Sequence, residues 1–289
     1  MRIRICGRGA ATASRAAMIE VGTIALIGFG EAGMAFAGAW DADTRAYDVK
    51  TDDPALAADK RADYARAGIA GADTLAEALA GAELVISLVT ADQALAAAEA
   101  AASLIAPGAI YCDFNSVAPN TKQKAARLIE AAGALYADVA VMAPVHPARL
   151  AVPLLVSGAD ACAALAALGF GPRRIDGPVG RASTIKMLRS VMVKGIEALT
   201  AECFLAARTA GVADEVAASL DASWPGTDWA AKAAYNLGRM REHGLRRAAE
   251  MEEVAATLEG LGQGSDMARA TAQVQRRLGA AAIHASEAA

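Results

Sequence analysis

At 289 residues, 55% of them hydrophobic, the chain has length for two domains and ample apolar surface to bury. No run approaches the ~18 uninterrupted apolar residues of a spanning helix, so no membrane partner is expected. The net charge of -4, from 28 Lys+Arg interspersed with 32 Asp+Glu, lacks the basic footprint of a nucleic-acid binder.

Cys6, Cys112, Cys162 and Cys203 are far apart, without a CxxC pair, and read as reduced, mostly buried thiols of a cytoplasmic protein. His146, His243 and His284 are too scattered for a metal site, and none is expected. Residues 1–17 carry four arginines, no acid and no apolar core of a secretory signal; they read as a disordered extension ahead of Met18.

Residues 18–179 read as a dinucleotide-binding domain. The apolar run 23–27 predicts a buried parallel strand. It leads into Gly28-Phe29-Gly30-Glu31-Ala32-Gly33, a G-x-G-x-x-G opening a helix. Gly28 permits the tight turn, Gly30 leaves out the Cβ that would block a pyrophosphate, and Gly33 lets helix and strand pack closely. The helix N-terminus adds N–H donors.

A strand over 44–47 ends at Asp48, whose carboxylate suits ribose hydroxyls and repels a 2′-phosphate. Lys50 could instead neutralise such a phosphate, so NAD is expected with NADP as the alternative. Alternation continues with a helix at 74–79, a strand at 84–89, and a helix to Leu104 with Asp92 as its N-cap. A strand at 109–114, a helix from Pro119 to Ala132 and a strand at 135–141 follow.

This is a Rossmann-type α/β pattern with a mainly parallel sheet, whose ligands bind beyond the carboxyl ends of the strands. Val89 and Thr90, Asn115 and Ser116, and Met142-Ala143-Pro144 stand at those ends. A strand over 153–157, a helix over 160–168 and an edge strand over 173–176 complete the domain; Gly177-Pro178 and Gly180 break the chain.

Residues 180–289 read as an all-α substrate and dimerisation domain. A long helix over 181–209, roughly 40 Å at ~1.5 Å per residue, carries Lys186 near its start. Helices over 214–223, 229–243, 245–259 and 265–278 follow, with Gly244 separating the middle pair. Alanine-rich faces suit close packing in a homodimer. Trp224 and Trp229 read as helix-junction core. His243 reads either as part of a solvated face with a Glu242–Arg246 pair or, with an arginine, as an anion anchor.

Four segments resemble the β-hydroxyacid dehydrogenase superfamily, which includes the 3-hydroxyisobutyrate and 6-phosphogluconate dehydrogenases. IALIGFGEAGMAFA is similar to its dinucleotide fingerprint, and DFNSVAP to its D-x-S-T-x-x-P segment. YADVAVMAP resembles its D-A-P-V-S-G-G segment, and GRASTIKMLRS its G-x-G-x-x-x-K-x-x-x-N signature. The stretch from Lys186 to about Gly262 is similar to a poorly characterised helical domain of some members.

The resemblance implies that Lys186 is the catalytic lysine, that Ser116 approaches the substrate and that Asn115 lies near the nicotinamide. Ser190 stands where the family has asparagine, one helical turn from Lys186. Met142-Ala143-Pro144 replaces the S-G-G that cradles a substrate carboxylate, and proline has no N–H to offer. The expected activity is hydride transfer between a nicotinamide and the hydroxyl-bearing carbon of a hydroxy acid or related alcohol. Lys186 would be general acid/base, its pKa lowered by desolvation. An imine reductase and a non-catalytic nucleotide sensor are the alternatives.

Overall fold

A computed structural model describes residues 21–37, 40 and 42–287; the extension expected over 1–17 lies outside them. Contacts divide the chain into two compact units, Met1–Ser183 and Thr184–Ala289.

The first unit is built on eight strands: β1 (Ile24–Ile27), β2 (Thr44–Tyr47), β3 (Ala70–Gly71), β4 (Leu84–Ser87), β5 (Ile110–Asp113), β6 (Leu135–Val141), β7 (Leu154–Gly158) and β8 (Pro172–Arg174). Their spatial order is β3-β2-β1-β4-β5-β6-β7-β8. All neighbours run parallel except β6 and β7, which pair antiparallel.

Every residue of β1, β4 and β5 is buried, as expected of strands covered on both faces. Alternation sends Ile24, Leu26, Ile86 and Cys112 to one face, where Phe36, Phe114 and Phe170 pack. Ala25, Ile27, Val85 and Tyr111 go to the other.

Six helices join these strands: α1 (Glu31–Ala37), α2 (Ala57–Ala67), α3 (Leu75–Leu79), α4 (Ala94–Ala102), α5 (Pro119–Ala131) and α6 (Cys162–Ala167). Helix α2 and strand β3 were not foreseen, because AADKRADYARA has a thin apolar stripe; only Ala57, Lys60 and Tyr64 are buried. Asp92 does not cap α4. It lies in a 3-10 turn over Ala91–Gln93, and its carboxylate accepts from the side chains of Thr90 and Gln93. Val89 falls beyond the end of β4.

The second unit contains the rest of α7 (Arg181–Ala210, 30 residues) with α8 (Ala213–Ser223), α9 (Trp229–Gly260) and α10 (Asp266–Glu287). Its apolar core joins Met187 to Met251, Val254 and Ala272, and Ala201 to Leu237, Met240 and Val274. The expected break at Gly244 is absent: α9 is one helix of 32 residues.

Gly244 is kept small for contact rather than for bending. A Cβ there would stand 2.3 Å from the Gln275 carbonyl oxygen and 2.8 Å from the Gly279 Cα, so α9 and α10 touch backbone to backbone. The expectation of mostly buried thiols is not met among the described residues, where Cys112 is buried, Cys162 intermediate and Cys203 exposed; Cys6 lies outside them.

Candidate functional site

In the first unit, β1 and β4 are neighbours from which the connections run in opposite directions, so their carboxyl ends flank the topological switch of the sheet. The glycine turn sits there. Gly28 has φ 86°, and a Cβ on it would lie 2.8 Å from the Leu88 carbonyl oxygen beyond β4. A Cβ on Gly33 would lie 3.0 Å from the Phe29 ring and 3.4 Å from the Gly28 carbonyl oxygen, so the start of α1 packs closely on the glycine turn that follows β1. Gly30 is different: a Cβ there would meet nothing within 4 Å. The space above the turn is open, and the first amides of α1 have no helical partner of their own.

The side chain of Phe29 cannot line this space, since it is wholly buried against Tyr64 with ring centroids 5.0 Å apart; only its backbone is presented. Asp48 is turned toward the same peptide. One carboxylate oxygen accepts from the Phe29 N–H at 2.8 Å, the other from the Lys50 N–H at 3.0 Å. Lys50 is exposed, as are Glu31 and Thr90, while Ala32 and Val89 are half-buried.

At the end of β5, Asn115 is buried, its Nδ2 donating to Ser87 Oγ at 2.9 Å and its N–H to Asp113 at 2.8 Å. Its Oδ1 is a buried acceptor without a partner among the described residues. Ser116 beside it is half-buried. At the end of β6, the Met142 N–H donates to the Pro153 carbonyl at 2.9 Å, and Ala143 and Pro144 are exposed. With the Met142 amide used and none on Pro144, two of these three positions offer no N–H to an anion. The open turn, the free amides and the Asn115 acceptor fit a dinucleotide.

Below these loops lies an ionic cluster that sequence reasoning missed. Asp113 and Asp138 face each other across β5 and β6, and Lys122 from α5 bridges them. Its ammonium is 2.8 Å from the Asp113 carboxylate and 3.6 Å from that of Asp138, and it donates to the Asp113 carbonyl at 2.6 Å. Lys122 and Asp138 are fully buried.

Tyr136 donates to Asp113 at 2.5 Å, and Ser157 to Asp138 at 3.1 Å. Asp138 also accepts from the Gly180 and Ser183 N–H groups and the Ser183 hydroxyl, so a carboxylate satisfies the start of α7. The readable signal was Lys122 itself, which shares the inward face of α5 with Ala125, Ala126 and Ile129.

In the second unit, Lys186 is half-buried on the second turn of α7. Ser190 is 7% exposed, and its hydroxyl donates to the Lys186 carbonyl at 2.9 Å. As a donor to substrate it would first have to release that bond. Lys194 binds Glu250 at 2.5 Å, and Arg246 binds the other oxygen at 2.6 Å. Burial pushes the Glu250 carboxyl up, but Lys194, Arg246 and Lys186 outweigh it and hold the group at about 2. Burial draws the Lys194 ammonium below its ordinary value against the pull of Glu250.

His243 on α9 is half-buried, with Nε2 3.6 Å from the Glu242 carboxylate. The expected Glu242–Arg246 pair does not form among the described residues, because Arg246 turns to Glu250. Among those residues no group of three metal-ligating side chains occurs, and no helix is long and apolar enough to cross a membrane.

A mainly parallel sheet with a glycine turn at its switch point defines a Rossmann-type dinucleotide-binding protein. Residues 23–168 match the NAD binding domain of 6-phosphogluconate dehydrogenase, and residues 207–278 match a domain of unknown function, DUF1932. The chain belongs to this family of 6-phosphogluconate dehydrogenase-like proteins with a helical C-terminal domain.

A conserved hypothetical protein from Sinorhizobium meliloti is 38% identical, with TM-score 0.74 over 93% of this chain and 92% of that one. A conserved protein of unknown function, described as structurally similar to 3-hydroxyacid dehydrogenases, is 27% identical, with TM-score 0.70 over 90% and 98%. The fold recurs in Mycobacterium tuberculosis 3-hydroxyisobutyrate dehydrogenase, at 17% identity and TM-score 0.73 over 92% and 99%.

An uncharacterized 28.5 kDa protein from Methanothermus fervidus is 31% identical over 136 residues, 46% of this chain and 51% of that protein. The chain thus spans about half the length of the curated relative it matches.

Proposed function

We propose that this protein is an NAD(P)-dependent oxidoreductase acting on the hydroxyl-bearing carbon of a hydroxy acid or related alcohol. The observation that carries the reading is the turn at Gly28–Gly33, open above Gly30 and set beside β4, in a family whose matched domain binds NAD. The residues that would hold the dinucleotide are Gly28 to Gly33, Asp48 and Lys50, Val89 and Thr90, and Asn115. Bound nicotinamide would supply a two-electron hydride acceptor or donor.

The chain's own part is to orient the substrate and move one proton. Lys186 is the proposed general acid/base, accepting the hydroxyl proton in oxidation and returning it in reduction. Ser116 and Ser190 are proposed to hold the substrate oxygen. Met142, Ala143 and Pro144, with His243, are proposed substrate neighbours. Because that β6 end lacks an anion cradle, the reading favours a larger or differently anchored alcohol over a compact hydroxy acid.

We read residues 18–179 as the dinucleotide domain, 180–289 as the substrate domain, and the protein as a cytoplasmic homodimer. Exposed Leu188, Met192 and Leu199 on α7 support a second copy packing there; light scattering at working concentration tests it.

The test of activity is titration of NADH and NADPH, followed by hydroxy acids, aryl-bearing alcohols and cyclic imines with each oxidised or reduced cofactor. Lys186→Ala should keep cofactor affinity and lose alcohol turnover by about 100-fold or more. Turnover of imines alone would replace the alcohol reading. Tight cofactor binding without turnover of any compound would favour a nucleotide sensor.

A further inference from the structure

The two peptide groups around Phe29 are held from opposite ends by charged side chains. The Phe29 N–H donates to Asp48 at 2.8 Å. The Phe29 carbonyl accepts from Lys60 Nζ at 2.7 Å, and that ammonium also donates to Asp63 at 2.7 Å. Lys60 is only 7% exposed, reaching the turn from α2, 31 residues along the chain. It is a lysine spent on a backbone carbonyl rather than on solvent.

The geometry of an amide gives this contact a consequence for ligands. In a planar trans peptide the C=O and N–H point in opposite directions. Holding the Phe29 carbonyl toward Lys60 therefore aims the Gly30 N–H the other way. That N–H has no acceptor among the described residues. Gly30 is also the position whose missing Cβ leaves open space. Glycines on both sides of Phe29 make rotation of these peptides cheap, so without a clamp the donor would be presented only part of the time.

The geometry points to Lys60 as a cofactor-positioning residue that fixes the Phe29–Gly30 peptide so that the Gly30 N–H meets the pyrophosphate of a dinucleotide. This rests on the dinucleotide reading above. Lys60 acts through the backbone and does not itself touch the ligand. Asp63 keeps its ammonium in place: the carboxylate takes Lys60 on one oxygen and Arg66, at 2.6 Å, on the other. Lys60 hydrogen bonding, ahead of the neighbouring charges, draws the Asp63 carboxyl below its ordinary value.

The experiment is equilibrium titration of wild type, Lys60→Met and Lys60→Arg with NADH, ADP-ribose and adenosine, alongside thermal unfolding without ligand. Lys60→Met should weaken NADH and ADP-ribose about tenfold or more, the loss expected of one charge-assisted hydrogen bond. Adenosine, which has no phosphate, should weaken much less, and Lys60→Arg should recover most of the NADH affinity. A purely structural role would lower the unfolding temperature and weaken all three ligands alike, which overturns the proposal. Lys60→Met binding NADH as wild type does also overturns it, leaving the dinucleotide reading intact. Wild type binding no dinucleotide would overturn both. Should Lys60→Met not fold, Lys60→Gln keeps a neutral donor: NADH affinity between wild type and tenfold weaker supports the clamp, and unchanged affinity refutes it.

Discussion

Replacing Lys122 with methionine isolates the buried cluster between β5 and β6. Methionine preserves most of the apolar stem and removes the ammonium. Asp113 keeps donors from Tyr136 and the Asn115 N–H, and Asp138 keeps Ser157, Ser183 and two backbone amides. What disappears is the ammonium 2.8 Å from Asp113 and 3.6 Å from Asp138, leaving two buried carboxylates facing each other. Removing one partner of a buried ion pair costs about 3–5 kcal/mol. At a urea slope of about 2 kcal/mol/M, that lowers the transition of the first unit by roughly 2 M.

The assay is urea unfolding of the whole chain, with hydrogen exchange at the Tyr111 and Ala137 amides to locate the loss. Adding Asp113→Asn to Lys122→Met should restore at least about 1 kcal/mol, because the two sites are coupled. An unchanged midpoint for Lys122→Met, or strict additivity in the double variant, would refute the electrostatic reasoning.

Two other outcomes follow from the second unit. Gly238 and Gly244 both sit within α9, but a Cβ on Gly238 meets nothing within 4 Å. Gly238→Ala should raise stability by about 0.5–1 kcal/mol through helix propensity, while Gly244→Ala should lower it by about 1–3 kcal/mol. Thermal melts by circular dichroism decide this, and an equal response at both sites contradicts backbone contact with α10.

Glu250 gives a pH signature. Its carboxyl lies at about 2 against an ordinary 4.5, so its stabilisation is complete above about pH 4.5 and fades as pH falls toward 2. Glu250→Gln should remove that acid slope and cost roughly 3 kcal/mol at neutral pH. A variant with the wild-type slope would show that other carboxylates set it.

The legible parts of the chain were those where local punctuation and packing agreed. The strands at 44–47 and 135–141 and the helix start at Pro119 emerged as expected, because glycine, proline and aspartate punctuate the chain there and proline suits the first turn of a helix. Helix α2 escaped notice because its inward face consists of an alanine, a tyrosine and a lysine spent on a carbonyl. Gly244 misled because glycine in a helix marks a break or a close neighbour, and the neighbour, Gly279, lies far along the chain. Lys122, Asp138 and Glu250 were passed over for a similar reason. In one dimension a charged residue looks solvated; its partner is found only after the strands and helices are stacked.

The reversal of β7 also decides where altered selectivity can be sought. Strands β1 to β6 deliver their carboxyl ends to one rim, but β7 and β8 run the other way, so the returns at 159–161 and 175–178 emerge at the opposite rim. A combinatorial library aimed at nucleotide preference should diversify 30–32, 48–50, 89–90 and 115–116, leaving the buried Phe29, Phe114, Val117 and Ala118 in place. Randomising the returns after β7 and β8 would sample scaffold tolerance and leave the bound coenzyme unaware of the change.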